Sequence, residues 1–541
     1  MEKADLILKS NAIFTGKTNG TFAGGIAVKG NKIIKVGSWD EVDLYKDLHT
    51  KVFEYKDNLI LPGFIDSHMH YFVGAFQSSG RVCRTLFDAQ SKKECLDMVA
   101  KFSKECAEMN KVVGMGWHLP SWDEADRNPC KEDLDAIEPN RPVFLLSAEG
   151  HTFWLNSKAL EACSINADTT VSFGKVGKND DGEPDGMLYE LEACEVANTI
   201  AFKADNNEED EILMAFNKKL SECGITSTTD VSNCPEPVGD FSEYESLHQL
   251  ELDHRLTVRL NLYPSLGLMP DTGLADRLRD KYHSEKLRVA GLKQFIDGVT
   301  SSNSAFLLEP YTDMPDSHGR PFYEYETLRD CVLFANGQQY GIKLHAIGDG
   351  AIRMALDAFE ESQRKNGPLK IRNSIEHIEA PHPDDIGRFA KLDVTAAMQP
   401  LHLAYENLEK LVKIGPNRSR YQFPFKSLLE QGTVLAFGTD YPVVTFSPME
   451  TIHAAVTRQN IEGHEININP WEKIPLADVL RAYTFGGAYC VNQDDILGSL
   501  EEGKLADIVV LDRNLFGVDP EEILETKVLL TVMDGDVVHQ V

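Results

Sequence analysis

The chain has 541 residues, of which 42% are hydrophobic and 26% charged, a composition that excludes a largely disordered protein and predicts two or three domains with buried cores. Its formal net charge of −31 argues against nucleic acids and anionic membrane surfaces as partners, because both would be repelled. No apolar run approaches the roughly 20 residues that span a bilayer, so we expect no membrane partner.

Both ends of the chain predict short β-strands. Near the N-terminus, β-rich runs such as residues 32–36 alternate with turn signals, and residues 528–533 repeat this texture near the C-terminus. Neither piece is long enough to enclose a core of its own. We therefore expect residues 1–60 and 491–541 to complete one small β-sandwich domain together.

A pair of histidines follows the first strongly apolar run. Residues 61–70 read LPGFIDSHMH, so His68 and His70 lie two positions apart at the end of a strand that we assign to residues 61–75. On an extended strand, such residues point to the same face, and both imidazoles can reach one ion. Imidazole is a common metal ligand, so the pair predicts half of a zinc site. Taken alone, the pair is equally typical of two solvated or core-edge histidines.

Residues 76–205 do not follow the strand–helix alternation found further along the chain. They contain a helical stretch at 92–110, a polar, turn-rich segment at 174–186, and aromatic patches around Trp117 and Trp154. We predict an inserted α+β subdomain after the first strand, large enough to cover the mouth of a barrel.

Amphipathic helices alternate with short apolar runs between residues 206 and 490. The strand that ends at His68 and seven further candidates give eight strands, the seven being 225–230, 258–262, 291–295, 342–345, 374–377, 394–398 and 434–437. This number predicts a closed (β/α)8 barrel of the TIM type in an α/β fold. A doubly wound open sheet usually carries a Gly-rich phosphate loop. The nearest approximation, at 348–350, has Arg353 where a small residue is needed.

Several of the predicted strands end in metal-binding residue types. Lys293 lies in the fourth strand, His345 and His377 end the fifth and sixth, and Asp440 follows the eighth. Barrel active sites lie at these carboxyl ends. Any one of these residues alone could be a core-edge residue or a helix cap. In this order the set predicts a metal site.

The chain resembles the amidohydrolase superfamily, and within it the YtcJ-like branch that includes N-substituted formamide deformylase. The resemblance covers essentially the whole length and rests on three segments, PGFIDSHMH at 62–70, GHTFWLNSKAL at 150–160 and LGSLEEGKLAD at 497–507. One departure is Glu149, where relatives often carry Asp before the Gly-His pair.

The resemblance implies a site for one or two Zn²⁺ ions. The implied ligands are His68, His70, His345, His377 and Asp440. Lys293 would be carboxylated on its amine and would bridge two ions, which requires a depressed pKa that burial and nearby cations supply. Alternatively, Lys293 forms a salt bridge to Asp297 or another carboxylate, and the site holds one metal.

The implied mechanism begins with a zinc-activated hydroxide that attacks a carbonyl carbon. Asp440 would take the proton and deliver it to the leaving nitrogen. His151 would donate a hydrogen bond to the developing oxyanion, although a histidine packed against Trp154 explains it equally well. The expected substrate contacts are Trp117, Trp154, Gln399 and His402. Tryptophans in such positions are more often core residues.

The predicted function is metal-dependent hydrolysis of a C–N bond in a small-molecule amide, formamide or N-acyl amine. Hydrolytic deamination of a heterocycle and a non-catalytic metal-binding or regulatory relative are the alternatives. The chain start lacks a signal-peptide pattern, and the ten scattered cysteines form no Cys-x-x-Cys pair, which is typical of reduced thiols in the cytoplasm. The resemblance implies a homodimer.

Overall fold

The computed structural model describes residues 2–119, 122–123, 128–148, 150–171, 174–204, 208–232, 241–405, 407–459 and 469–541. The strands of this described part are β1 (Leu6–Ile13), β2 (Phe22–Lys29), β3 (Lys32–Gly37), β4 (Lys51–Glu54), β5 (Leu59–Pro62), β6 (Phe64–Met69), β7 (Val82–Cys83), β8 (Val112–Trp117), β9 (Val143–Ser147), β10 (Thr152–Leu155), β11 (Lys175–Lys178), β12 (Pro184–Tyr189), β13 (Ile225–Val231), β14 (Arg259–Tyr263), β15 (Leu287–Val289), β16 (Gly291–Phe295), β17 (Gly341–Ala346), β18 (Asn373–His377), β19 (Val394–Met398), β20 (Leu435–Phe437), β21 (Ile508–Leu511), β22 (Val528–Met533) and β23 (Asp536–Gln540).

The helices of the described part are α1 (Trp39–Asp43), α2 (Tyr71–Ser78), α3 (Lys92–Glu105), α4 (Lys131–Asp135), α5 (Ser157–Ala162), α6 (Leu191–Ala201), α7 (Glu209–Glu222), α8 (Ser242–Leu252), α9 (Gly273–Lys281), α10 (Tyr325–Gly337), α11 (Asp349–Asn366), α12 (Pro383–Lys391), α13 (His402–Tyr405), α14 (Asn407–Arg418), α15 (Phe425–Glu430), α16 (Pro448–Thr457), α17 (Leu476–Ala482) and α18 (Phe485–Cys490). The chain folds into two compact units. The first comprises Met1–Met69, Asn217–Ser232 and His248–Val541, and the second comprises His70–Phe216 and Asn233–Leu247.

One sheet of the first unit combines strands from both ends of the chain. Its order is β23-β22-β21-β5-β1-β2-β3, with β4 paired to β1, and β21 runs antiparallel to β5. Alternate residues along β1, such as Leu6 and Leu8, join a core with Ile508 and Val510 of β21 because side chains on a strand alternate between faces. The terminal segments therefore share one sheet. Their boundaries as a separate sandwich domain stay a prediction.

The rest of the first unit contains two parallel sheets. Their orders are β15-β14-β13-β6 and β16-β17-β18-β19-β20, and every neighbouring pair is parallel. Isolated parallel bridges join Ser265 to Lys293 and Met69 to Tyr441. The strands are buried along their length, as expected for parallel sheets covered on both faces. The predicted α/β class with parallel strands and intervening helices is confirmed.

The second unit contains a mixed six-stranded sheet with the order β11-β12-β10-β9-β8-β7. The pairs β7–β8 and β8–β9 are parallel, whereas the pairs from β9 through β10 and β12 to β11 are antiparallel. Its core contains three indole rings with centroids 5.9–6.2 Å apart, which we name the tryptophan cluster: Trp117, Trp122 and Trp154.

Across the described residues, the helices fall short of the combination of length and apolar character that crossing a lipid bilayer requires.

Candidate metal centre

Four buried histidines of the first unit lie side by side around one buried aspartate. The His377 ring is the centre of the group, with centroids 5.0 Å from His68, 4.4 Å from His345 and 5.8 Å from His402. We name the four rings and Asp440 the histidine cluster. His68, His345 and His377 lie on parallel strands, whereas His402 begins the short helix that follows β19. Ring nitrogens and carboxylate oxygens converging in this way form a donor set suited to a divalent transition metal.

Asp440 lies between two of the imidazoles. Its Oδ1 is 3.3 Å from Nε2 of His68, and its Oδ2 is 3.5 Å from Nε2 of His402. Ligand atoms of His377, His402 and Asp440 all lie within 4.8 Å of one another, close enough for one ion to contact all three. The Asp440 backbone N–H donates to the carbonyl of His68 over 2.8 Å, which fixes the end of β20 against the end of β6.

The backbone at the histidine cluster is unusual in two places. His377 and Ile378 have φ of 76° and 50°, and Asp440 has φ of 60°. A non-glycine residue with positive φ costs about 1–3 kcal/mol in sparsely populated conformations, and such residues concentrate at functional sites. Here the strained positions turn the chain directly after β18 and after β20, where the ligand-type side chains are presented.

Burial sets the protonation of His377. Burial, and then the neighbouring His345 ring, hold the pKa of His377 well below its usual value, so its ring is neutral near pH 7. A neutral imidazole has a lone pair available for a metal ion. Burial lowers the pKa of His68, but the carboxylates of Asp440 and Glu376 together outweigh it, and the pKa is raised. A cation bound at Nε2 would therefore displace a proton from His68.

A second carboxylate orients His68. Nδ1 of His68 and Oε2 of Glu376 are 2.5 Å apart. Burial raises the pKa of Glu376, but the ammonium of Lys343 and the hydrogen bond from His68 outweigh it and hold this pKa at about 2. Glu376 is therefore a permanent carboxylate. The sequence analysis did not identify it, although it directly precedes His377.

A third carboxylate supports the backbone beneath His68. Asp66 accepts hydrogen bonds from the backbone N–H of His68 and from both the backbone N–H and the hydroxyl of Thr439. The segments around Gly438 and His68 approach so closely that a Cβ atom on Gly438 would lie 2.6 Å from the backbone nitrogen of His68. Glycine is therefore required at residue 438 for this packing.

Lys293 is fully buried in β16, and within the described residues its amine has neither a hydrogen bond nor an ion pair. Burial lowers its pKa to about 8, although Glu376 and Asp440 oppose the shift. The alternative salt bridge to Asp297 is wrong. The Asp297 carboxylate instead accepts three backbone hydrogen bonds, from Phe306, Ile347 and Gly348.

Gln399 directly follows β19 and is also fully buried. Both polar atoms of its side-chain amide lack a hydrogen-bond partner among the residues that the structure describes. A buried amide without partners costs about 1–3 kcal/mol, so such a group indicates a ligand that completes its hydrogen bonds. Contact between Gln399 and a substrate stays a prediction, as it does for His402.

The remaining predicted site residues belong to the second unit. Nδ1 of His151 lies 2.9 Å from Oε2 of Glu190, a partner that the sequence analysis did not identify. Trp117 and Trp154 are buried, and their indole N–H groups donate to the carbonyls of Leu145 and Cys130. Their burial and bonding are those of core residues of this unit, and their contact with substrate stays a prediction.

His70 is the first residue of the second unit and precedes α2, and its role as a ligand stays a prediction. Glu149, which departs from the pattern of the relatives, lies outside the described residues.

The chain is similar to proteins of one family along almost its whole length. The profile of the family described as "Amidohydrolase family" matches residues 51–539. The protein LONG AFTER FAR-RED 3 of Arabidopsis thaliana is 30% identical over 98% of this chain and 91% of its own length. The putative amidohydrolase YtcJ of Bacillus subtilis is 26% identical over 98% of both chains. The N-substituted formamide deformylase of Arthrobacter pascens is 25% identical over 98% of this chain and 97% of its own.

The fold is also similar to that of a solved structure. The crystal structure of an uncharacterized metal-dependent hydrolase from Pyrococcus horikoshii superposes with a TM-score of 0.77 at 23% identity, covering 99% of this chain and all of the other. The resemblance to the YtcJ-like and deformylase branch is thereby confirmed. Because the family profile spans most of the sequence and a full-length relative reaches 30% identity, the chain belongs to the amidohydrolase family.

Proposed function

We propose that this protein is a metal-dependent amidohydrolase that cleaves a C–N bond in a small-molecule amide, formamide or N-acyl amine. The histidine cluster is the observation that carries the proposal. It joins four buried imidazoles to one buried carboxylate in a chain that belongs to a hydrolase family. A relative named as a formamide deformylase matches over almost the full length, which supports the C–N bond as the target.

We further propose that the two parallel sheets close into one eight-stranded barrel. Eight parallel strands follow one another in chain order within the two sheets if β15 and β16, which are separated by Ala290 alone, are counted as one. One isolated bridge joins Ser265, which follows β14, to Lys293 of β16, and another joins Met69 of β6 to Tyr441, which follows β20. In this arrangement the carboxyl ends of β6, β17, β18 and β20 share one rim. Closure would explain why residues from distant parts of the sequence meet in the histidine cluster.

Zinc is the proposed metal, and the donor set fits it. The residues that would hold it are His68, His70, His345, His377 and Asp440. Zinc supplies a hydroxide nucleophile at neutral pH by lowering the pKa of water. A bridging role for Lys293 is supported by its buried amine, which has no hydrogen-bond partner among the described residues, and by its pKa of about 8, because carboxylation requires the neutral amine.

Asp440 is the proposed proton carrier. It would take a proton from the attacking water and deliver it to the leaving nitrogen, which requires a carboxylate that reaches both groups. Gln399 and His402 would hold polar atoms of the substrate. His151 would donate to the oxyanion from Nε2. This requires a proton on both ring nitrogens, because Nδ1 is bound to the carboxylate of Glu190.

A substrate screen with a parallel metal analysis tests the proposal. The protein purified with zinc is assayed against panels of N-acyl amines, N-formyl amines and amino-substituted heterocycles. Free amine is measured for the first two panels and ammonia for the third. Release of amine by a protein that retains zinc supports the proposal. Release of ammonia alone indicates a deaminase, and the absence of tightly bound transition metal indicates a non-catalytic relative.

A further inference from the structure

A row of buried side chains extends behind His68, away from Asp440. Nδ1 of His68 meets Oε2 of Glu376 over 2.5 Å. The amine of Lys343 donates to the other oxygen, Oε1, over 3.2 Å and to Sγ of Cys490 over 3.1 Å. The hydroxyl of Ser374 also donates to Oε1, over 2.5 Å. The row therefore connects α18, β17 and β18 to the histidine on β6.

The Lys343–Glu376 ion pair is an unexpected feature of this interior. Both side chains are at most 1% exposed. Removing two charges from water costs several kcal/mol per ion, so a buried pair is seldom retained for stability alone. The proposed chemistry uses neither residue directly. Among the described residues, the hydrogen bonds of this pair reach one ligand-type side chain, His68.

We infer that Lys343 is a positioning residue for the metal centre, which acts on His68 through Glu376. Lys343 and Ser374 both occupy Oε1, so Oε2 is left to accept the Nδ1–H of His68. That hydrogen bond fixes the orientation of the ring and keeps a proton on Nδ1, so that a metal would bind at Nε2, the atom that faces Asp440 at 3.3 Å. The inference rests on the proposed function, because it requires His68 to bind a metal.

Cys490 gives the lysine a second point of attachment. Its thiol accepts from the same amine that donates to Glu376, and the ring of Tyr263 lies 5.2 Å from this amine. The ammonium of Lys343, on β17, is thereby held between Glu376 on β18 and Cys490 on α18. Removing the thiol would loosen Lys343 without removing its charge.

The test measures metal affinity instead of turnover. Zn²⁺ dissociation constants are determined by chelator competition for the wild-type protein, K343M and E376Q, and the Co²⁺-loaded proteins are compared by their visible absorption spectra. We expect K343M and E376Q to bind Zn²⁺ about 10- to 100-fold more weakly and to change the Co²⁺ spectrum, the usual effect of losing a partner that orients a histidine ligand.

A matched control separates positioning from a general effect of losing a buried lysine. Lys9 is also buried and forms an ion pair with Asp43 over 2.7 Å in the terminal sheet. We expect K9M to lower the thermal midpoint but to leave Zn²⁺ affinity and the Co²⁺ spectrum unchanged. A K343M protein that unfolds at a lower temperature and binds Zn²⁺ like wild type would overturn the inference.

Double variants test whether Lys343 acts through Glu376. K343M/E376Q should bind Zn²⁺ no more weakly than E376Q alone, and additive losses would overturn the inference. If K343M does not fold, C490A replaces it. C490A should weaken Zn²⁺ binding about two- to tenfold in the wild-type background and should have no effect in E376Q. Failure of the wild-type protein to bind Zn²⁺ would instead reject the proposed function itself.

Discussion

The histidine cluster and the tryptophan cluster are both buried, but they differ in how completely their polar atoms are satisfied. In the tryptophan cluster, the indole N–H groups of Trp117 and Trp154 donate to backbone carbonyls, and the rings pack on one another. In the histidine cluster, Nδ1 of His377 has no hydrogen-bond partner in the described part of the chain, and the same holds for the buried polar atoms of Lys293 and Gln399, which we propose for the same site. Folding normally removes such atoms, so their retention indicates a ligand.

This difference separates two kinds of buried aromatic or polar residue that look the same in the sequence. A satisfied buried residue contributes to stability, and its loss should be visible in unfolding. We expect an unsatisfied one beside the histidine cluster to contribute to binding, so that its loss is visible in turnover or affinity. The predictions below test this separation in both clusters.

The largest expected effect is that of D440N in the histidine cluster. Removing the proton carrier should lower kcat by about 100- to 10,000-fold. The amide retains an oxygen toward His68 and His402, so most of the metal should stay bound. Steady-state kinetics on the substrate found in the screen, together with zinc analysis, measure both quantities.

The matched control for D440N is D385N. Asp385 is equally buried but forms ion pairs with Arg353 and Arg388 away from the histidine cluster. Turnover should persist in D385N. If D440N retains wild-type kcat, Asp440 is not the proton carrier.

W154A should have the largest effect on stability. Truncating a fully buried indole leaves a cavity, and we expect a loss of about 3–5 kcal/mol in the free energy of unfolding. Urea denaturation of the variant measures this loss. The zinc content of the folded protein should not change.

The milder W154F variant challenges the assignment of Trp154 to the core. It keeps an aromatic ring but loses the N–H that donates to Cys130. If W154F lowers kcat/KM while its unfolding matches wild type, Trp154 contacts substrate and the contrast between the two clusters fails.

K293R tests the second metal position. Arginine keeps the charge but cannot be carboxylated, so zinc bound at saturation should fall from about two ions per chain to about one. Depleting CO2 and bicarbonate during metal loading should have the same effect on the wild-type protein and none on K293R. Elemental analysis measures the ratio, and a ratio of one in the wild-type protein loaded with bicarbonate would contradict the bridging role.

Strand positions were predictable from the sequence where apolar runs are bounded by turn signals. The predicted strands 291–295 and 394–398 have the same bounds as β16 and β19. β15 was missed because three residues are too few to show a period, and it forms only as a partner of β14. The prediction of helix at 92–110 extends beyond α3, which ends at Glu105.

The proximity of His68, His345, His377 and Asp440 was predictable because all four stand at or directly after the ends of predicted parallel strands, whereas their role as ligands stays a prediction. Their supporting residues were not predictable. Glu376 and Lys343 meet only because β17 and β18 are adjacent, and Glu190 meets His151 across 39 positions of chain. No local spacing encodes such contacts. Trp117 and Trp154 were identified, but their role was not predictable. The sequence does not indicate whether an aromatic residue near a motif lines a cavity or fills a core.

The smallest and most discriminating effect is expected for Q399L. If the amide binds substrate, its loss should raise KM about 10-fold, the equivalent of one hydrogen bond of about 1.4 kcal/mol. The unliganded variant should be as stable as wild type or more stable, because leucine removes two polar atoms that are buried without partners.

The matched control is Q422L, whose native side chain is also buried and leaves its oxygen without a partner in the described residues. Q422L should keep the wild-type KM. Substrate titration and thermal unfolding of both variants measure the two quantities. A Q399L protein with wild-type KM and lowered stability would place Gln399 with the tryptophans as a packing residue, whereas a raised KM with undiminished stability is the combination that only a binding role produces.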